Sequence, residues 1–266
     1  MELTDLRKLY RNLAECKALS KYLKGKGGDT LFLSGLNASS APLVFSTVAD
    51  NCGCRCLLFI LNEQEESAYF YHDLVQICGE SNVLFFPSAY KRAVKYGQKD
   101  EANEILRTEV LSRLTTMNDQ DGVLMIVTSA DAVAEKVISR KNLKDNSLVI
   151  ESGSEVDREI LEQMLLDSGF RRVDYVYEPG QFAIRGSIID VFSFASEYPV
   201  RMDFFGDDVD SIRTFSVETQ LSLEKKGNAV IISELNAGKG TDSVSLMEFL
   251  PESSAILMKD MIFVAE

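Results

Sequence analysis

The sequence predicts an α/β protein, a parallel sheet covered by helices, carrying a second α+β unit built on an antiparallel meander. Two observations lead there. In the first half, short continuous apolar runs (residues 57–61 LLFIL, 83–86 VLFF, 122–128 GVLMIVT) alternate with stretches of helical period. Strands that are apolar throughout, with helices between them, belong to a parallel sheet buried on both faces. From residue 184 to 219 the grammar changes: apolar runs are broken by single polar residues and separated by acidic turns. That is the pattern of a half-buried antiparallel sheet.

Taken in order, Leu3, Leu6, Leu9, Tyr10, Leu13, Leu19 and Leu23 form an approximate helical stripe, ended at residues 25–28 (GKGG). Residues 30–34 (TLFLS) are expected to be a short buried strand, 35–40 a loop of small residues, and 41–48 the start of a helix. Strands are expected at 55–61, 83–86 and 122–128, and helices at 63–74 and 101–114. Beyond residue 130, helices are expected at 132–138 and 158–168, a short strand at 148–150, and the beginning of the meander at 170–177. Its central strands are 188–192 and 200–205. Asp207 and Asp208 then mark a turn, and 210–219 alternates with Ile212, Phe215 and Val217 apolar. From Asn228 the segments VIISEL, SVSLMEFL and AILMKDMIFVAE read as elements of the first, α/β kind. The expected division is therefore 1–130 and 226–266 for the sheet domain, with 131–225 inserted. The chain ends in apolar sequence without a polar tail and reads as part of something longer.

With 41 acidic against 28 basic residues, the net charge is −13. A domain that grips nucleic acid neutralises phosphates with Lys and Arg and is normally basic. Autonomous DNA binding is not expected, although Lys91, Arg92 and Lys95 hint at a small local patch. No apolar run reaches about 18 residues, so no membrane span is expected. The charged, amphipathic N-terminus is unlike a secretory signal, which makes the expected compartment cytoplasmic. The five cysteines include the triplet Cys52, Cys54 and Cys56. Zinc sites space ligands two to four apart and add a second pair downstream, which is absent here, so buried thiols are expected instead of a metal. An odd count in that compartment also argues against disulfides. The sole histidine, His72, falls among aromatics in a helical stretch and reads as structural.

The first loop stands where a nucleotide-binding loop of the pattern G-x-x-x-x-G-K-[ST] would lie. Gly35 supplies the first glycine, but Ser40 replaces the second, Ala41 the lysine and Pro42 the hydroxyl residue. Without the cation and the magnesium ligand, phosphoryl transfer has no electrostatic basis. No cofactor is expected, and the first domain reads as a degenerate, helicase-like one.

The words of the meander carry a resemblance. RG-x-I-I-D-x-F, R-x-D-F-F-G-D-x-x-D-S-I-R and F-x-V-E-T-Q are similar to the module shared by the bacterial excinuclease component UvrB and the transcription-repair coupling factors (Mfd), strongly over 170–222 and weakly elsewhere. The degenerate loop favours the N-terminal region of a coupling factor, since UvrB keeps its loop intact. The resemblance implies a non-catalytic module of nucleotide excision repair that docks the excinuclease component UvrA. It also implies that the complete protein is an ATP-dependent translocase, meeting RNA polymerase and double-stranded DNA through other domains. The competing reading is a piece of a nucleotide-dependent motor, or of UvrB, with its own ATPase or DNA-binding activity. An aromatic hairpin used by that relative would correspond to residues 90–96.

Carried over residue by residue, the family's docking arginines fall on Arg185 and Arg201 and its acidic contact on Asp203. A further family arginine falls on Ala183, so that contact is missing. Arg171 is a candidate by analogy, and Phe182 could add an apolar anchor. Arg201 and Asp203, two apart on a strand, share one face. Guanidinium forks bind carboxylates bidentately, and Arg beside an aromatic is common hot-spot chemistry. The alternative is that these charges only solvate the sheet. Asp190, Asp208, Asp210 and Arg213 are expected to fix turns and cross-strand pairs.

Overall fold

The computed structural model describes residues 3–25, 30–37, 39–90, 100–118, 122–196, 198–233 and 242–265. In chain order its elements begin with helices α1 (Leu3–Asn12), α2 (Ala14–Lys24) and α3 (Ser40–Ala49). Then come β1 (Cys56–Leu61), α4 (Gln64–Cys78), β2 (Val83–Phe86), α5 (Glu101–Thr116), β3 (Leu124–Ser129) and α6 (Ala130–Ala134). The chain continues with β4 (Val137–Ile138), α7 (Arg140–Asp145), β5 (Ser147–Glu151), α8 (Arg158–Asp167) and β6 (Arg171–Arg172). The meander follows as β7 (Gln181–Arg185), β8 (Ile188–Val191), β9 (Val200–Phe205), β10 (Asp208–Phe215) and β11 (Ser222–Lys226). Last come β12 (Asn228–Ile232), β13 (Ser243–Val244), β14 (Ser254–Met258) and α9 (Met261–Ala265).

The chain divides into two compact units: residues 1–103, 113–136 and 245–266 form the first, and 104–112 with 137–244 the second. The first holds a four-stranded sheet in the order β14–β1–β3–β2, every pair parallel. All six residues of β1 and of β3 are buried, which requires cover on both faces and explains their unbroken apolar runs. Phe45 and Val48 of α3, Leu74 of α4 and Cys16 and Leu19 of α2 pack on the face presented by Leu57 and Phe59.

Three sequence expectations fail in this unit. The N-terminal stripe is two helices, because the chain is extended at Leu13 (ψ 139°). The strand expected at 30–34 is no strand: residues 30–37 form no regular element, and Phe32 is 80 % exposed between half-exposed Leu31 and Leu33. An apolar run becomes a strand only where another strand accepts its backbone hydrogen bonds, and none among the described residues does. Finally, only β14 of the C-terminal segments joins the parallel sheet, since β12 pairs antiparallel with β5 and β13 with β4. Residues 90–96, 26–28 and Ala38, invoked above, lie wholly or mostly outside the described residues.

The second unit is organised by a six-stranded sheet in the order β11–β10–β9–β8–β7–β6. Its strands are antiparallel except β6, which runs parallel to β7. Two-residue turns close two of the hairpins, Gly186–Ser187 and Gly206–Asp207, with φ +61° and +67° at the glycines. Such turns need a left-handed residue to match the twist of the strands they join. The turn expected at Asp207–Asp208 is thus one residue earlier. Helix α8 starts at Asp157, whose carboxylate accepts from the N–H groups of Glu159 and Ile160 at 2.9 and 3.1 Å. Its Leu161 and Leu165 cover one face of the sheet, packing with Phe182, Ile189, Met202 and Ile212. The expected helix at 132–138 stops at Ala134 and becomes β4, and α7 has no counterpart in the sequence reading.

Candidate docking face of the antiparallel sheet

The face of the six-stranded sheet away from α8 carries the charges. Its register aligns Ala183, Asp190, Arg201, Arg213 and Lys225 across five strands, and beside them Arg185, Ile188, Asp203 and Ser211 across four. An alternation of period two puts most apolar residues into the α8 core and these residues on the opposite side, where a smaller apolar cluster of Val176, Ala183, Phe192 and Phe215 is also buried.

Asp190 is the centre of the arrangement. Its side chain is wholly buried, and it receives both arginines. Arg201 binds it bidentately, with Nε at 2.7 Å from Oδ1 and a terminal nitrogen at 2.9 Å from Oδ2, while Arg185 donates to Oδ2. Arg201 also donates to the backbone carbonyl of Gln220 at 3.2 Å, and its guanidinium lies 4.2 Å from the Phe215 ring centroid. The hydrogen bond to Asp190 raises the Arg201 pKa above its ordinary value, so this group stays cationic throughout. Buried carboxylates persist only when paired and fully hydrogen-bonded. Arg201, with 12 % of its side chain exposed, is thus first a structural partner of Asp190.

Arg185 is more open. Its side chain is 29 % exposed, it donates to the Asp174 carbonyl at 3.3 Å, and its guanidinium lies 4.8 Å from the ring centroid of the exposed Tyr175. Asp203 pairs with Arg213 at 2.6 Å and accepts from the Ser211 hydroxyl at 3.2 Å. Arg171 lies at the sheet edge in a distant, exposed pair with Glu178 at 3.9 Å. Phe182 is a correction to the sequence reading: it is fully buried against Val191 in the α8 core and offers nothing to a partner. Asp190 and Arg213 do form cross-strand pairs, with Arg201 and Asp203.

The sequence reading missed Tyr175 and Phe205. Tyr175 and Tyr177 are exposed on either side of buried Val176, an alternation visible in the sequence D-Y-V-Y. Phe205, at the tip of the β9–β10 hairpin, is 82 % exposed.

In the other unit, Gly35 has φ +83° and Ser40 opens α3, its hydroxyl donating to the Asn37 carbonyl at 2.7 Å. Ala41 and Pro42 follow inside the helix. His72 lies exposed on α4. Among the described residues no three His, Cys, Asp or Glu side chains are grouped to hold a metal ion, and no helix is long and apolar enough to cross a membrane.

Residues 148–235, which contain this sheet, match the UvrB interaction domain family. The chain is also similar to parts of longer proteins. It is 38 % identical over 202 residues to the transcription-repair-coupling factor of Escherichia coli, covering 75 % of this chain and 17 % of that protein. Against the coupling factor of Bacillus subtilis it is 28 % identical over 193 residues, 72 % of this chain and 16 % of that one. The UvrABC system protein B of Thermosipho africanus is 25 % identical over 227 residues, 81 % of this chain and 34 % of that protein. The chain therefore spans about a sixth of the length of the coupling factors it matches. The matches to these coupling factors cover about three quarters of its residues.

Proposed function

We propose that this chain is a non-catalytic docking module of transcription-coupled nucleotide excision repair, and that it recruits UvrA through the charged face of its antiparallel sheet. The observation that carries the reading is the coincidence of the matched interaction domain with a face that offers Arg185, stacked with Tyr175, on a rigid buried carboxylate. An arginine held in place by Asp190 loses little freedom on binding, which favours affinity. Asp203 and Arg213 extend the polar surface beside it, and Arg171 lies at its edge. The complete protein's ATP-driven translocation, and its contacts with RNA polymerase and DNA, are assigned to regions outside this sequence. The loop at Gly35 favours no ATPase here, because Ala41 and Pro42 replace the cation and the magnesium ligand.

Titration calorimetry of the chain against purified UvrA tests the proposal. Arg185→Ala is expected to weaken binding by about 2 kcal/mol, roughly thirtyfold. Absence of binding by the folded wild-type chain sinks the docking role.

A further inference from the structure

Cysteines 52 and 54 have no part in the docking face, yet they form a built arrangement. Helix α3 ends at Ala49, and the chain turns through Cys52 and Gly53, whose φ is +73°, before entering β1. The Cys54 N–H donates to the Cys52 sulfur at 3.4 Å, and the Cys54 thiol points back to the Cys52 carbonyl at 3.9 Å. Cys52 is sealed in the core, whereas Cys54 is partly open to solvent. Lys24 of α2 is laid across the turn, its Cγ 3.2 Å from where a side chain on Gly53 would begin.

A cavity of about 420 Å³ adjoins the turn, lined by Arg11, Lys17, Lys21 and Lys24 with Cys16 and Asn51. Four cations and no carboxylate line it, in a chain of net charge −13. Arg11 pairs with Asp50, while Lys17, Lys21 and Lys24 have no carboxylate partner among the described residues. The volume suits a small ligand and the charge an anionic one.

We propose that Cys52–Gly53–Cys54 is a reversible dithiol–disulfide site, oxidised at the partly open Cys54 by small anionic disulfides of the glutathione type, which the neighbouring basic groove attracts to this surface. The Cys54 thiol, the one open to solvent, gives its proton to the Cys52 thiolate as its sulfur attacks one sulfur of the oxidant, forming a mixed disulfide and expelling one thiolate. Cys52 then loses that proton to solvent and its sulfur attacks the Cys54 sulfur, closing the internal disulfide and expelling the second thiolate. Two protein thiols lose two electrons and two protons; the oxidant gains both and leaves as two thiols. The hydrogen bond from the Cys54 thiol lowers the Cys52 pKa to about 7, with Lys24 contributing, and the same bond raises that of Cys54. The pair thus gives up one proton readily and shares the remaining one between its sulfurs. Closure would pin the turn that joins α3 to β1.

Trypsin cleaves after Lys26 and Arg55, so Cys52 and Cys54 fall in one peptide with no other cysteine. The folded chain is incubated with glutathione disulfide, the remaining thiols are alkylated, and the digest is weighed. The expected product is peptide 27–55 lighter by two hydrogens and restored by dithiothreitol, with the Cys16 peptide and the single peptide 56–91 that holds Cys56 and Cys78 still reduced. Cys52→Ser should stop at a glutathione adduct on Cys54. Cys54→Ser should leave Cys52 unmodified while the chain stays folded. Lys17→Gln with Lys21→Gln should slow oxidation by glutathione disulfide several-fold, but not by the uncharged hydroxyethyl disulfide. A peptide that stays reduced overturns the redox site, and equal slowing with both oxidants overturns the role of the cavity.

Discussion

Arg185 and Arg201 share one carboxylate but differ in what they can give to a partner. Arg201 chelates Asp190 and is nearly enclosed, whereas Arg185 touches one carboxylate oxygen and lies under Tyr175 at the surface. Breaking a buried pair leaves a desolvated charge behind, so Arg201→Ala is expected to cost about 3 kcal/mol of stability. Arg185→Ala should cost about 1 kcal/mol, because Arg201 still satisfies Asp190. Urea unfolding of the two variants checks this, and equal losses would mean that Asp190 depends on both alike. Loss of UvrA binding in Arg201→Ala alone is therefore ambiguous, while Arg185→Ala and Tyr175→Ala report on the face itself. Phe182 shows what the sequence already contained at this scale. It lies three residues before Arg185 on one strand, so a period of two puts the two side chains on opposite faces. Proximity suggested an anchor; parity excludes it.

At the level of elements, the meander depends on its turns. Gly186 has φ +61° and open space where a side chain would start, so a substitution there meets backbone strain and no clash. Gly186→Ala is expected to lose about 1 kcal/mol in urea unfolding, and Gly186→Asn to recover part of it. The segment at 30–34 teaches the opposite lesson. Its run T-L-F-L-S has the composition of β1, yet Phe32 lies exposed and unpaired in any sheet. Phe32→Ser should change stability by less than about 0.5 kcal/mol in the same assay. A loss several times larger would show that this side chain packs. The N-terminal stripe, similarly, is two helices in which Leu19 is buried while Leu9 and Leu13 are exposed, and a break at Leu13 leaves no mark in apolar spacing. Strand identity at β1, β2 and β3 was legible because burial selects runs that are almost wholly apolar, with only Thr128 and Ser129 polar at the end of β3. The pairings of β12 and β13 were not, since an apolar strand does not name its partner.

Across the whole molecule, charge and the division into two units set the expectations. At net charge −13, the chain should form no complex with double-stranded DNA in a gel-shift titration at about 0.1 M salt, where phosphate contacts are the main source of affinity. The lysines of α2 are the local exception, and the cavity they line is too small for a duplex. Each unit has its own apolar core, one around β1 and the other around α8 and the meander. Calorimetry is therefore expected to show a van't Hoff enthalpy below the calorimetric one, the mark of unfolding in more than one step. A ratio of unity would show that the two cores melt together.

By itself the sequence determined the classes of structure: buried parallel strands between helices, a half-buried meander, and an acidic chain whose first loop lacks phosphate-binding chemistry. The resemblance of its motifs to a known family, not pattern alone, placed the candidate docking residues Arg185, Arg201 and Asp203, while strand parity put Arg201 and Asp203 on one face. The tertiary structure alone decided which strands pair, that residues 30–34 join no sheet, and that Asp190 binds both arginines. It alone brought Lys24 over the turn between Cys52 and Cys54. These are contacts between residues distant in sequence, or choices among several possible partners. They are settled by the packing and hydrogen bonding of the assembled fold, which local pattern does not encode.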